Sequence, residues 1–242
     1  MAKPILRIVS HSGQPFADRV EGGRLLAREL WEWREKKPVV LGIPRGGVVV
    51  ARELARALEA DLDVVLARKL RTPGYPELAM GSVAEDGRIF LNEAVVREVG
   101  VGQDYIQEER GHQLSEIKRR SELIRNLAPK VPLVGRVVIV TDDGVATGAT
   151  TLAAFWAVEH ERPKTLIGAF PVGSEETIKM LAEHVDEIVC LRTPPMFQAV
   201  GQFYQQFEPV SDADVLEILK AERGRKADGK ETGLPKVRDG HG

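Results

Sequence analysis

Short apolar runs alternate along this chain with longer stretches in which apolar residues recur every three or four positions. Val39-Val-Leu-Gly-Ile43, Leu62-Asp-Val-Val-Leu-Ala67, Val137-Val-Ile-Val140, Thr165-Leu-Ile-Gly-Ala-Phe170 and Glu187-Ile-Val-Cys-Leu191 are brief and rich in β-branched residues. That is the pattern of strands covered on both faces. Leu25, Leu26, Leu30 and Trp33 mark a helix over 16–33 with Asp18 near its start, and residues 48–58 and 150–158 read as apolar helices. Ser174 and Ser211 are placed to cap two more. The stretch Asp104 to Leu127 is dense in charge, yet Ile106, Leu114, Ile117, Leu123 and Ile124 give it one face to dock. Ala79 to Ala84 and Arg88 to Leu91 read as a hairpin over Glu85-Asp-Gly87, after an irregular Pro73-Gly-Tyr-Pro76. Strands and helices in alternation predict an α/β fold on a doubly wound, mostly parallel sheet, with the hairpin as a small flap or hood.

Composition narrows the setting. A chain of 242 residues with 43% hydrophobic content can bury one substantial core, expected over residues 1–222. Beyond Glu222 the chain turns Gly-, Lys- and Arg-rich, so 223–242 is expected to be a disordered basic tail. A net charge of −2 does not suggest a general binder of nucleic acid or of anionic membranes. The single cysteine, Cys190, sits in an apolar run and reads as core. No stretch reaches about 18 apolar residues, and the start lacks a long apolar region, so a soluble, cytoplasmic protein is expected. The long charged helix reads as structural and as a candidate subunit contact, which makes a homo-oligomer one expected assembly.

Two places combine a strand, a loop of small residues and a helix start. After Val137–Val140 come Thr141, Asp142, Asp143 and Gly144, then Ala146-Thr-Gly-Ala-Thr-Thr151. A helix N-terminus offers unpaired N–H groups and a positive dipole end, Gly148 admits a ligand close to the backbone, and Thr147, Thr150 and Thr151 add hydroxyls. Ala146 and Ala149 complete this candidate phosphate loop. Asp142 and Asp143 only accept hydrogen bonds when ionised, so they should face hydroxyls or a hydrated metal ion rather than phosphate. The second place is Pro44-Arg45-Gly46-Gly47, where a guanidinium and two open glycine amides suit another anion. Arg68 and Lys69 follow the Leu62–Ala67 run and are read as lying at the carboxyl end of that strand, beside both loops. Arg71, Tyr75 and Glu77 are flap candidates. Phe197, Tyr204 and Phe207 could wall a planar acceptor, or could simply pack a cap onto the core.

The run Val137-Val-Ile-Val-Thr-Asp-Asp-Gly-Val-Ala-Thr-Gly-Ala-Thr150 resembles the phosphoribosyl-pyrophosphate signature of type I phosphoribosyltransferases, and Pro-Arg-Gly-Gly resembles their pyrophosphate loop. With Arg-Lys, Pro-Glu-Leu-Ala-Met-Gly and Val-Gly-Gln-Phe-Tyr, the order is similar to a bacterial and archaeal subgroup of that family over most of residues 16–220. The resemblance implies that Asp142 and Asp143 hold the ribose hydroxyls and that residues 146–151 cradle the 5-phosphate. It implies pyrophosphate at Pro44–Gly47, Arg68 and Lys69 and a flap that closes to exclude water; relatives often carry a non-proline cis peptide in that loop, a point the sequence leaves open here. The catalytic set it implies is Asp142, Asp143, Arg45 and Lys69. Mg²⁺ would be held through ligand oxygens and water, with Asp142 or Asp143 as candidate direct contacts. The implied reaction transfers a phosphoribosyl group to a nitrogenous, nucleobase-like acceptor. One departure stands out: Ala146 occupies a position where hypoxanthine-guanine type members carry an Asp, and resembles adenine and some other types instead, so no general base is assigned and the acceptor stays open. A phosphoribosyl-pyrophosphate sensor of the same fold, or a nucleotide phosphorylase or hydrolase, are the alternative readings.

Overall fold

The architecture comes from a computed structural model that describes residues 4–227, apart from the side chains of Pro76, Glu77, Lys226 and Ala227. In chain order the elements are β1 (Ile5–Ser10), α1 (Arg19–Glu29), β2 (Val39–Gly42), α2 (Gly47–Ala57), β3 (Asp61–Val64), β4 (Ala67–Thr72), β5 (Tyr75–Ala84), β6 (Ile89–Leu91), α3 (Glu93–Val99), α4 (Gln103–Leu127), β7 (Val137–Thr141), α5 (Ala149–Glu159), β8 (Thr165–Val172), α6 (Glu175–Ala182), β9 (Glu187–Arg192) and α7 (Asp212–Ala227). Six strands form a sheet in the order β1-β9-β8-β7-β2-β3, and every pairing in it is parallel. The five runs read from periodicity are therefore five of the six strands of this sheet, as a doubly wound fold requires.

Strand alternation sorts the core into two layers. Val39, Leu41, Val138, Val140, Phe170, Ile188 and Cys190 face one way, into Phe155 and Val158 of α5 and Ile178 and Leu181 of α6. Val40, Ile139, Ile167, Ala169 and Val189 face the other way, into α1, α2 and α7 through Leu26, Leu54 and Val215. Cys190 is core, and burial pushes its thiol up to about 12. Among the described residues no helix is long and apolar enough to cross a membrane.

The position of the loops follows from the strand order. From β2 the chain moves outward to β3, whereas from β7 it moves the opposite way to β8 and β9. β2 and β7 are neighbours, with Gly42 opposite Thr141. Ligands of open α/β sheets bind beyond the carboxyl ends of strands at such a reversal point. Both small-residue loops leave the sheet there.

Four differences from the sequence reading have physical causes. β1 and α3 have no counterpart in it: β1 is a half-exposed edge strand interrupted by Arg7, and α3 has only seven residues. The core strand ends at Val64, and Arg68 and Lys69 belong to a separate strand, β4, of an antiparallel β4-β5-β6 sheet. The segment expected to be irregular contains a two-residue turn, Pro73-Gly74, which pairs Thr72 with Tyr75 and sets Gly74 at φ 77°. At the other end α7 runs to Ala227, past the expected boundary at residue 222. Buried Glu222 accepts from Arg56 Nε at 2.6 Å and from Arg225 Nε at 2.9 Å, which ties the last turns to α2. Residues 228–242, most of the expected tail, lie outside the described residues, as does the side chain of Glu77.

The small sheet and α4 form a hood fixed to the core by ions as well as by Leu70, Met80 and Val83. Fully buried Asp63 accepts from Arg125 at 2.7 Å and from the backbone N–H of Val131 at 2.9 Å, while Arg125 also donates to Glu85 at 3.0 Å. Removing one partner of a buried pair leaves the other charge uncompensated. Arg125→Met should therefore cost about 3 kcal/mol, with the double variant carrying Asp63→Leu as well losing less than the two single losses combined. Urea denaturation checks this; strict additivity would show that the pair does not act as a unit.

Candidate functional site

β7 is buried along its whole length and ends at Thr141, so the chain delivers Asp142 and Asp143 to the reversal point. The two side chains are separated by backbone bending: Asp142 Oδ1 accepts from the N–H of Asp143 at 2.8 Å, and Asp143 Oδ2 accepts from Arg19 Nε at 2.7 Å. Burial, and then the charge of Asp143, push the Asp142 carboxyl well above the usual carboxylate range, against the opposing pull of the Asp143 N–H and Arg19. One carboxylate is thus neutralised by an ion pair, and the other is held where ionisation costs energy.

Arg19 went unnoticed in the sequence. It is buried at the first position of α1, behind the Asp18 cap, with its guanidinium 3.8 Å from the Phe207 ring centroid and a bond to the Glu208 carbonyl at 2.9 Å. An arginine at a helix start, far from any motif, gives no signal beyond its charge. The only hint was that an acid pair brought into a core needs a cation.

The Pro44–Gly47 loop lies directly against the acids. A Cβ built on Gly46 would overlap Asp143 Oδ2, and one on Gly47 would come within 2.9 Å of Asp142 Oδ1 and 2.7 Å of its Cα. Glycine is required here by close approach to the aspartates, a reason separate from any exposed amide. The peptide bond between Pro44 and Arg45 is cis, which answers a point the sequence had left open. Arg45 is exposed.

Across the reversal point, the loop after Val145 is braced by α6. Thr177 Oγ1 donates to the Ala146 carbonyl at 2.7 Å, and Val145 N–H donates to Val172 at 2.9 Å. Gly148 takes φ 77° and begins α5 without a side-chain cap, whereas Asp18, Asn92 and Ser174 cap α1, α3 and α6. Ala146, Thr147 and Thr150 are exposed; Gly148, Ala149 and Thr151 are buried. The hydroxyls on offer at the surface are therefore those of Thr147 and Thr150.

A cleft of about 430 Å³ opens beside Pro44 and Thr150, between the sheet end (Ile43, Val65) and the hood. Arg68, Lys69, Arg71 and Arg120 line it, with Glu116 the one carboxylate among the described lining residues. Although Arg68 and Lys69 are not at the end of a core strand, the fold of the hood returns them to this cleft. Their neighbours are set by α4: Gln113, buried, accepts from Arg68 Nε at 2.7 Å, and Glu109 accepts from Arg71 Nε at 3.1 Å and Gln113 Nε2 at 2.8 Å.

The aromatic segment divides. Tyr204 is buried between Phe16 and Phe207, with ring centroids at 5.5 and 5.1 Å, and its hydroxyl donates to the Asp143 carbonyl at 2.5 Å. Burial pushes its phenol far above the usual range. Its placement is that of a brace beneath the acid pair. Phe197 stacks on buried Phe203 at 5.2 Å and stays half-exposed, as does Phe207 beneath Arg19. Among the described residues no group of three or more His, Cys, Asp or Glu is disposed to hold a metal.

Because the folded-state pKa of Asp142 is raised, its ionised form carries a cost in the native state. That cost is absent below the ordinary value of 3.8 and grows as pH rises above it. Asp142→Asn keeps the acceptor for the Asp143 N–H and removes the cost. The variant should melt higher than the parent at pH 7.5, by roughly 2–4 °C for each kcal/mol relieved, and the gain should shrink as pH falls toward 4. A lower melting temperature at pH 7.5 would contradict the assignment.

A family model described as the phosphoribosyl transferase domain matches residues 17–208. Two proteins from strains of Mycobacterium tuberculosis, each named "Putative phosphoribosyl transferase", are 43% identical over 204 residues, 84% of this chain and 46% of theirs. The chain thus spans a little under half the length of those curated relatives. The crystal structure of TT1426 from Thermus thermophilus is similar at a TM-score of 0.82 and 43% identity, covering 86% of this chain and 99% of that one. With a mostly parallel sheet, two small-residue loops at its reversal point and a domain match over most of its length, this chain belongs to the phosphoribosyl transferase domain family.

Proposed function

We propose that this protein transfers the 5-phosphoribosyl group of phosphoribosyl pyrophosphate to a nitrogenous, nucleobase-like acceptor, with release of pyrophosphate. The observation that carries this reading is the adjacency of the two loops: the β2–α2 and β7–α5 turns stand side by side and pack Gly46 and Gly47 onto Asp143 and Asp142. A sugar bearing phosphate at one end and pyrophosphate at the other fits two anion loops flanking a pair of hydroxyl acceptors. Thr147, Thr150 and the uncapped α5 amides would take the 5-phosphate. Asp142 and Asp143 would accept from the ribose hydroxyls. Arg45, the Gly46–Gly47 amides, Arg68 and Lys69 would face the pyrophosphate.

Mg²⁺ fits this donor set. It keeps several waters and prefers one or two carboxylates plus ligand phosphates, and a cation beside Asp142 would offset the cost of ionising a carboxyl whose pKa is raised by burial. When bound it would supply charge neutralisation on the leaving pyrophosphate. The chain's own residues position the ends of the ligand so that the anomeric carbon lies between leaving group and acceptor. In the reaction the C1–O bond to pyrophosphate breaks, the C1–N bond forms, and the acceptor gives up a proton. With Ala146 in the loop, that proton has no assigned carboxylate to receive it there.

The direct test is incubation with Mg²⁺ and phosphoribosyl pyrophosphate against a panel of nucleobases, reading pyrophosphate release and binding. No release with any acceptor, together with no binding of the donor, would overturn the reading. The loops can also be separated. Arg45→Ala should weaken phosphoribosyl pyrophosphate and free pyrophosphate by about tenfold or more, the scale of a charge-assisted bond, and barely affect ribose 5-phosphate. Thr147→Val should weaken ribose 5-phosphate and spare pyrophosphate. Calorimetry on variants with unchanged melting profiles decides; equal losses for all three ligands in Arg45→Ala would show the loops to be misassigned.

A further inference from the structure

Helix α4 turns one stripe toward the cleft, Gln113, Glu116, Ile117 and Arg120, at the spacing of neighbours on a single helical face. Arg120 thereby shares the cleft with Pro44 of one loop, Thr150 of the other, and Lys69 of the hood. It also borders a small hollow that runs on to Asp212 at the start of α7, again against Pro44. Its side chain is about one-third exposed, and its ion pair with Asp212 is long, 3.5 Å. The same carboxylate accepts from Arg119 at 2.8 Å, and Arg119 points to solvent. The Arg119 bond, and then the charges of Arg120, Arg119 and Arg45, hold the Asp212 carboxyl below its usual range. Three guanidiniums from two elements thus bear on one carboxylate at the rim of a cationic cleft, and Arg120 makes the looser of its two ion pairs. A charge-assisted N–H···O⁻ bond is normally about 2.7–2.9 Å, so a ligand oxygen could offer Arg120 better geometry than Asp212 does.

We propose that Arg120 is a binding residue for the polyphosphate end of the ligand, and that Asp212 competes with that polyphosphate for its guanidinium. The proposal rests on the assignment of pyrophosphate to the Pro44–Gly47 side of the site. It gives α4, whose charge otherwise looks like solvated surface, a direct role beside the motif loops. It also makes Asp212 a negative determinant: the carboxylate sets the orientation of Arg120 and lowers the net attraction of the cleft for anions. A purely structural ion pair predicts something different, since loss of either partner would then act on stability alike and on affinity not at all.

Calorimetric titration of the full chain with Mg²⁺-pyrophosphate, and separately with ribose 5-phosphate, tests this in Arg120→Ala, Arg120→Lys, Asp212→Asn and Arg45→Ala. Arg120→Ala should weaken pyrophosphate about tenfold or more, Arg120→Lys should recover part of the loss, and Asp212→Asn should tighten it severalfold. Ribose 5-phosphate should bind all four variants as it binds the parent. Asp212→Asn leaves Arg120 in place, so it decides even where Arg120→Ala fails to fold. If Arg45→Ala weakens pyrophosphate while Arg120→Ala changes it less than twofold, or if Asp212→Asn weakens it, the role of Arg120 is wrong and the loop assignment stands. If the parent protein binds no pyrophosphate, both fall together.

Discussion

Two carboxylates at the end of one buried strand repel each other and resist loss of water, and the surroundings of Asp142 and Asp143 answer that problem piece by piece. Arg19 pairs with Asp143, the Asp143 N–H bonds Asp142, and the Tyr204 hydroxyl holds the carbonyl between them and the next turn. Each of these comes from a different element: the start of α1, the strand end itself, and the segment after β9. Glycine at positions 46 and 47 is then forced, because any side chain would strike the acids. The Pro44–Gly47 loop is therefore fixed against the acid pair by contact, and its orientation follows from theirs. Asp142 remains the member whose ionisation is costly, because burial and the charge of Asp143 outweigh the Asp143 N–H and Arg19.

The hood contributes the opposite charge by a different route. Arg68 and Arg71 lie on β4, and neither is left to solvent alone: Gln113 and Glu109 on α4 receive their Nε atoms. The α4 carboxylate and amide are themselves bonded to each other, so the guanidiniums are oriented from behind. α4 is in turn locked to the sheet through Arg125, Asp63 and Glu85. Flexible side chains lose entropy when ordered by a ligand, and prior ordering reduces that cost. The consequence is a set of buried polar groups that must all be satisfied together.

Legibility in the sequence followed the range of the interactions. Five core strands and the two strand–loop–helix units were readable because burial on both faces demands apolar runs and small loops demand Gly, Ala and Thr in sequence. The hairpin after β3 was readable for the same reason, through Gly87 and alternation. The contacts of Arg19, Gln113 and Tyr204 were not readable. Arg19 meets Asp143 across 124 positions and Tyr204 meets it across 61, and nothing in local pattern encodes such pairings. Arg68 and Lys69 were attached to the wrong strand because an apolar run continuing through Val65 and Leu66 hides the point where β3 ends and the hood begins. Both line the cleft that Pro44 and Thr150 border, on a strand that begins after a two-residue link from β3.

The charge of α4 shows why a solvated reading of such a helix is only half the answer. Most of a helix's stability in a folded protein comes from tertiary packing, and the 25 residues of α4 offer only a narrow apolar face for it. Here its polar face is partly consumed: Glu109 and Gln113 are buried, and Arg125 reaches the core. Exposed Glu116 and half-buried Arg120 on that side line a cleft instead of packing. Buried Gln113 on one side and half-buried Arg125 on the other, with the more open Glu116 and Arg120 between them, mark the place where the helix faces the cleft rather than the packed core. On that argument the cleft is bounded by α4 as firmly as by the loops, and its cationic character arises as much from tertiary packing of the hood as from the motif residues.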